Sequence, residues 1–275
     1  MIIDRGRRAR VVWALLVLAC VACTAHAWAA PTLDRRAFYR GLSKRLGRER
    51  ADYPHLSDEE FANFRAVETT GMGKGALYRS SSPIKPWGGR HAIADRAARA
   101  VGIRTFVDLA DTEQGMRACK GYEGSWYATR TNIALGLDTR YASATFRASL
   151  AKGLRAMAAS DAPFLVHCDL GKDRAGFVCA ILECLMGAGA DEVVADYMLS
   201  FRNYFGIEPG TAEHELVADN EIRPFLAAAF GVASIDGVDL AAHAQRYLLD
   251  IGVPSEDIER LCRKLGRDGP MHGGG

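Results

Sequence analysis

The sequence predicts an α/β domain, a central and mostly parallel sheet flanked by helices, and three observations carry that prediction. Short apolar runs, Arg104–Leu109 and Phe164–Val166 among them, have the length of buried strands. Other stretches place apolar residues at helical spacing, such as Phe146, Leu150, Leu154 and Met157. The two kinds alternate along the chain, and strands joined through helical crossovers build parallel sheets.

Taken in order, Leu33 to Arg50 is basic, with Leu and Phe at helical spacing, and Ser57 is a fair N-cap for a short helix opening on Asp58-Glu59-Glu60. This reads as a helical N-terminal extension over 31–70, packed on the domain. Gly71, Gly73 and Gly75 punctuate a turn before a strand at Ala76–Arg79. Ala92 to Val101 is helical and Gly102 ends it. A strand follows at Arg104–Leu109, a helix start at Thr112-Glu113, and a further strand over Trp126–Leu135, rich in β-branched and aromatic residues. Gly136-Leu137-Asp138 is a loop. The Phe146–Met157 helix then delivers the chain to Phe164-Leu165-Val166. After that strand, Val178, Ile181, Leu182 and Leu185 mark one face of a helix. Asp191 precedes another, with Val193, Val194, Tyr197, Met198 and Phe201 inward. Phe225–Phe230 and Leu240–Leu249 read as helical. Ile258, Leu261, Cys262 and Leu265 give a last amphipathic helix. Residues 269–275 read as a disordered tail.

Composition bounds the function. The 275 residues are 49% hydrophobic and 25% charged, as in a globular protein of one full domain with additions. The net charge of +2 comes from Arg5, Arg7, Arg8 and Arg10 near the start; without the first 27 residues, 31 basic face 32 acidic residues. Nothing argues for nucleic acid or a polybasic membrane surface. Residues 1–30 have the form of a secretory signal peptide: arginines, an apolar run Val11–Ala22, then A-x-A sites at 25–27 and 27–29. That implies an extracytoplasmic protein, periplasmic or secreted. Membrane association follows only if this segment is retained as an anchor or lipidated at Cys20 or Cys23. Five cysteines remain: Cys119, Cys168, Cys179, Cys184 and Cys262. Cys179 and Cys184 lie on one helix and read as core. No CxxC or His-rich spacing suggests a metal, and no cofactor is implied.

The chemistry concentrates in His167–Gly176, HCDLGKDRAG, between a buried strand and a helix N-terminus. Loop amides and a helix N-terminus form an anion site. Such surroundings lower a Cys pKa from ~8.5 into the range ~3.5–7.5, and the thiolate is the nucleophile. Arg174, six residues after Cys168, can hold two phosphate oxygens at once, which Lys cannot. The set fits phosphate ester cleavage through a phosphocysteine.

This stretch resembles the Cys-x5-Arg loop of the protein tyrosine phosphatase superfamily. Its narrower form, HCxxGKDRxG, is similar to the bacterial atypical tyrosine phosphatases. The resemblance runs from about Leu77 to Leu265 and implies a Cys-x5-Arg phosphatase fold, with a tyrosine-phosphatase-like domain over 71–268. It implies Cys168 and Arg174 as catalytic, with Asp169, Leu170, Gly171, Lys172, Asp173 and Arg174 as the phosphate cradle. Leu-Tyr-Arg-Ser at 77–80 also resembles the first strand of these enzymes, which places Arg79 near the site; a surface salt bridge is the equal alternative. Related proteins often have Arg where Ala110 stands here.

The Trp-Pro-Asp tripeptide that supplies many of these enzymes with a general acid is absent. Asp138, on a Gly-flanked loop upstream, is the preferred acid, with Asp111 and Asp173 as alternatives. The expected substrate is a phosphorylated protein, foremost phosphotyrosine, or a phosphoinositide. Lys172, a second cation in the loop, favours polyanions, so a phosphoinositide or inositol polyphosphate phosphatase is one alternative. An inactive phosphate-binding module is another, against which the intact Cys168 argues.

Overall fold

A computed structural model describes residues 35–266; the signal-peptide reading of 1–30 and the disordered-tail reading of 269–275 lie outside the described residues. Helix α1 is Arg35–Arg45, shorter than the basic stretch that predicts it, and a single 3-10 turn follows at Arg50–Asp52. Helix α2, Asp58–Phe61, starts with the expected cap: Ser57 Oγ accepts from Glu60 N at 3.1 Å, and Glu60 Oε2 accepts from Ser57 N at 2.9 Å.

Five strands form one sheet in the order β1-β2-β5-β3-β4. Strand β1 (Arg65–Ala66) runs antiparallel to β2 (Leu77–Ser80). Strands β2, β5 (Phe164–His167), β3 (Thr105–Asp108) and β4 (Thr131–Ala134) are mutually parallel. The sheet therefore begins at Arg65, before the boundary placed at residue 71. Strand β4 is shorter than the Trp126–Leu135 reading. Asp95 accepts from Trp126 N at 2.9 Å and from Tyr127 N at 2.8 Å, which takes both amides out of any ladder, and residues 127–129 form a 3-10 turn.

The crossovers are α3 (Arg90–Ala100), α4 (Glu113–Ala118) and α5 (Ala144–Ala159), and α6 (Asp173–Leu185) follows the last strand, β5. Beyond them come α7 (Ala190–Phe205), α8 (Ala212–Asn220), α9 (Ile222–Phe230), α10 (Leu240–Asp250) and α11 (Ser255–Leu265). Helix α8 has no continuous apolar stripe to announce it; the Thr211 hydroxyl starts it by accepting from His214 N at 3.2 Å.

The centre of the molecule is β5 and the helix after it. All four β5 residues are buried, and α6 is buried without a break from Ala175 to Cys184. A helix buried on every side needs partners on every side, and here these include the sheet, α7 and α10. Each fully buried Val, Leu, Ile or Phe in it contributes roughly 1.5–3 kcal/mol. Cys179 and Cys184 belong to this core, where burial pushes both thiols up to about 12. All five cysteines among the described residues are free.

Candidate active site

Residues 168–172 join the carboxyl end of β5 to the N-terminus of α6 in one tight loop. The turn depends on Gly171, at φ +67°; a Cβ there would stand 2.1 Å from the Ser80 carbonyl oxygen. Every carbonyl from 169 to 172 is tied to the framework behind the loop. Asp169 O accepts from Ser82 N at 3.1 Å, and Leu170 O from Tyr204 Oη at 2.7 Å and Asn63 Nδ2 at 3.1 Å. Gly171 O accepts from Arg79 Nη2 at 2.9 Å and Asn63 Nδ2 at 3.2 Å, and Lys172 O from the same Arg79 nitrogen at 3.2 Å.

A peptide's N–H points opposite to its C=O, so tying the carbonyls back turns the amides of 170–173 into the loop. Among the described residues these amides donate to no protein acceptor. Together with the α6 N-terminus they form a concave set of donors for an anion.

Arg79 is fully buried, so it is not the surface salt bridge allowed above. Its charge is balanced by Asp196 at 2.5 Å, which also accepts from Arg65 Nε at 2.8 Å. Burial works against the Asp196 charge, but Arg65 and Arg79 outweigh it and hold that carboxyl below the ordinary carboxylate range. Asn63, also fully buried, completes the frame: its Oδ1 accepts from Arg65 Nη1 at 2.8 Å and Asn203 Nδ2 at 3.1 Å.

Cys168 is buried at the start of this loop. Beside it the Tyr127 hydroxyl donates to Asp108 Oδ2 at 3.4 Å and lies 3.3 Å from His167 Nε2. Burial lowers the His167 pKa against the opposing pull of Asp108 and so favours the neutral imidazole.

The open side of the loop carries ion pairs. Arg174 donates through Nη1 to Leu137 O at 2.7 Å and through Nη2 to the Asp169 carboxylate, and its buried Nε has no acceptor among the described residues. Burial disfavours its charge, yet Cys168 and Asp169 overcome that and raise its pKa. Lys85 Nζ bridges Asp169 at 2.5 Å and Asp111 at 2.9 Å. The site thus joins a thiol, a ring of inward amides and a guanidinium with a donor to spare, the complement of a tetrahedral dianion.

Residues 59–266 match the tyrosine phosphatase family. The chain belongs to that family. This phosphatase also shows likeness to solved structures at low identity. One is the core catalytic domain of the PP-IP phosphatase SIW14 from S. cerevisiae in complex with citrate: 15% identity, 57% of this chain, 83% of that chain, TM-score 0.35. Another is P. aeruginosa TpbA, in a cysteine-to-serine variant in complex with pTyr: 16%, 70%, 93% and 0.39. A third is the Yvh1 phosphatase domain from Chaetomium thermophilum: 13%, 71%, 93% and 0.28. No curated protein matches the sequence.

The three acid candidates of this phosphatase stand in different settings. Asp138 follows the Leu137 carbonyl that holds Arg174, and it is exposed. Its Oδ1 accepts from Arg140 N at 2.9 Å and its Oδ2 from Arg140 Nε at 2.5 Å, and these bonds hold it below the ordinary carboxylate range. Asp111 is tied to Lys85 through Oδ1, while its Oδ2 is buried without a partner among the described residues. Asp173 opens α6 and pairs with Lys172. Lys172 itself does not stand over the cradle: its Nζ reaches Asp173 and lies 4.2 Å from the Phe201 ring centroid.

Three residues escape sequence reasoning: Asn63, Tyr204 and Lys85. The first two reach the loop from 107 and 34 residues away. Lys85 sits beside the strand end where related enzymes often carry the Arg that Ala110 replaces; Ala110 offers only its amide, to Asp108 Oδ1 at 2.9 Å. No local pattern marks any of the three.

Proposed function

We propose that this phosphatase is an exported enzyme that hydrolyses phosphotyrosine in proteins through a phosphocysteine on Cys168. The observation that carries the mechanism is the loop itself, with all four carbonyls of 169–172 tied outward behind a buried cysteine. A phosphoryl group enters with its oxygens on the amides and on Arg174, whose Nε is unengaged. The Cys168 thiolate attacks phosphorus; an S–P bond forms and the P–O bond to tyrosine breaks. The departing phenolate takes a proton from Asp138, which must first loosen from Arg140. Water then attacks the phosphocysteine and gives a proton back to the Asp138 carboxylate; a P–O bond forms, the S–P bond breaks, inorganic phosphate leaves and the thiolate is restored.

Phosphotyrosine is preferred over inositol polyphosphates because Lys172, the cation that would meet a second phosphate, is engaged with Asp173 and Phe201. Export rests on the sequence of residues 1–30. Among the described residues no helix is long and apolar enough to cross a membrane.

The deciding experiment is acid quench of the enzyme with a radiolabelled phosphotyrosine peptide. Label on Cys168 is expected in the parent and none in Cys168→Ser, whose turnover falls by roughly 10⁴–10⁶ while phosphate binding persists. Parent-like turnover in Cys168→Ser would refute the mechanism. N-terminal sequencing of envelope or medium protein should begin near Trp28 or Ala30; intact Met1 on cytoplasmic protein would refute export.

A further inference from the structure

A cavity of about 440 Å³ opens beside the loop, between the segment after Asp138, the α8–α9 junction and the N-terminal helix α1. Its lining residues include the aromatics Tyr39, Tyr141 and Phe225, the acids Asp173 and Glu221, and Arg35. Two observations tie it to the chemistry. Asp173 immediately precedes Arg174 at the start of α6. Tyr141 lies near enough to Cys168 and Arg174 for their charges to act on its phenol, which burial, Asp173 and Cys168 together keep protonated. The Tyr141 ring is fixed in place, stacked on Phe177 at 4.3 Å and tilted against Phe225 at 5.1 Å.

The charges on these walls are arranged unfavourably for a second phosphate. Asp173 and Glu221 are both acidic lining residues, and burial, opposed by Lys172 and aided by Asp173, raises the Glu221 pKa. The nearby Lys172 points its ammonium at Asp173 and the Phe201 ring. The single cation among the lining residues, Arg35, is exposed, where solvent screens it. Glu221 accepts from Tyr197 Oη at 2.8 Å and lies against the Tyr39 hydroxyl, while Asp173 pairs through Oδ1 with Lys172 and keeps Oδ2 to offer. Three aromatic rings with two carboxylates among them recognise a guanidinium or ammonium on a long apolar stem: the stem lies along the rings, the cation meets a π-face and a carboxylate.

We infer that this cavity is a substrate subsite for an arginine or lysine side chain flanking the phosphotyrosine of a protein substrate, and that α1 contributes to it through Tyr39. The inference rests on the phosphotyrosine reading above and names the sequence context that reading leaves open. It also gives α1 a part in substrate choice, beyond that of a packed extension.

The test uses phosphotyrosine peptides that differ only in arginine or glutamate at each flanking position, with p-nitrophenyl phosphate and inositol hexakisphosphate as references. At one or two positions arginine should exceed glutamate in kcat/KM by roughly tenfold, the worth of one cation–π contact and one screened carboxylate pairing. Glu221→Gln, which keeps the shape, and Tyr39→Leu, which removes a ring, should each reduce that ratio to about threefold or less. If Glu221→Gln fails to fold, Tyr39→Leu and the parent's own ratio still decide. Equal rates on arginine and glutamate peptides, with p-nitrophenyl phosphate turned over, would overturn the subsite alone. Turnover of inositol hexakisphosphate with none of any phosphotyrosine peptide would overturn the phosphotyrosine reading instead.

Discussion

Behind the catalytic loop, Arg79, Asn63, Tyr204 and Asp196 are buried and bonded to the backbone or to one another. In front of it, Arg174, Asp169, Lys85, Asp138 and Arg140 form pairs in which Asp169 and Arg140 are well exposed. The two faces carry similar charges and use them differently. A buried pair is costly to break, because the partner left behind has no water, and one removal costs about 3–5 kcal/mol. An exposed pair is worth about 0–1 kcal/mol and exchanges easily. The rear ties down the loop carbonyls; on the mechanism proposed above, the front is a set of contacts that substrate oxygens can displace.

The largest effect that separates the two faces is expected from Arg79→Met. It leaves Arg65 as the only arginine on Asp196 and removes one donor from each of two carbonyls, Gly171 O, which keeps Asn63 Nδ2, and Lys172 O, which keeps Gly176 N. Stability in urea should fall by about 3–5 kcal/mol, and phosphate affinity should fall with it as the loop amides lose their direction. A variant with parent stability and parent phosphate affinity would show that the rear does not set the cradle.

Arg174→Lys strikes the front. The charge stays, but the planar fork between Leu137 O, Asp169 and the phosphate is lost. On the scale of a lost oxyanion donor, kcat should drop roughly 10²–10³-fold, with the urea midpoint almost unmoved. A large stability loss with normal kcat would make Arg174 a structural residue and erase the distinction between the faces.

Of the front, the Cys168–Arg174 segment is legible in the sequence and Lys85 is not. Cys168 and Arg174 fall within one strand–loop–helix unit, so spacing and helical periodicity place them without knowledge of the rest. The same locality makes α5, α6 and α11 readable from their apolar stripes. The rear is assembled from β1, β2, α7 and the bend at Asn63, whose bonds to the loop span about a hundred residues of chain. Asn63 also sits at φ +51°, a conformation few residues other than glycine accept, and no neighbour in sequence announces it. Strand β4 is shorter than its β-branched and aromatic composition predicts for a related reason: a remote carboxylate, Asp95, claims the amides of Trp126 and Tyr127. The direction in which Lys172 points is a rotamer set by Phe201 and Asp173, which no spacing encodes.

A smaller effect tests the proton donor. A general acid works in its protonated form, so the basic limb of kcat against pH follows its pKa. The Arg140 backbone N–H and then its side chain hold Asp138 low. Arg140→Ala removes only the side-chain part, so the Asp138 pKa should rise toward its ordinary value and the basic limb should move to higher pH. Asp138→Asn should abolish that limb. A limb unmoved in Arg140→Ala would exclude Asp138 and leave Asp111 and Asp173.

The smallest effect expected is from Lys172→Ala, and it asks on which face that residue belongs. Its position in the loop suggests a second cation for a polyanionic substrate. Its contacts say otherwise: the ammonium lies on Asp173 and over Phe201, with the side chain only 11% exposed. To serve a second phosphate it must abandon an ion pair and a cation–π contact, together worth about 1–2 kcal/mol. Its loss should therefore act through Asp173 and the start of α6, which every substrate uses alike. Roughly three- to tenfold lower kcat/KM is expected, in equal proportion on a phosphotyrosine peptide and on inositol hexakisphosphate. Loss confined to the polyphosphate would show that Lys172 swings to the front when a second phosphate arrives, and the division between a fixed rear and an exchangeable front would then run through the loop rather than behind it.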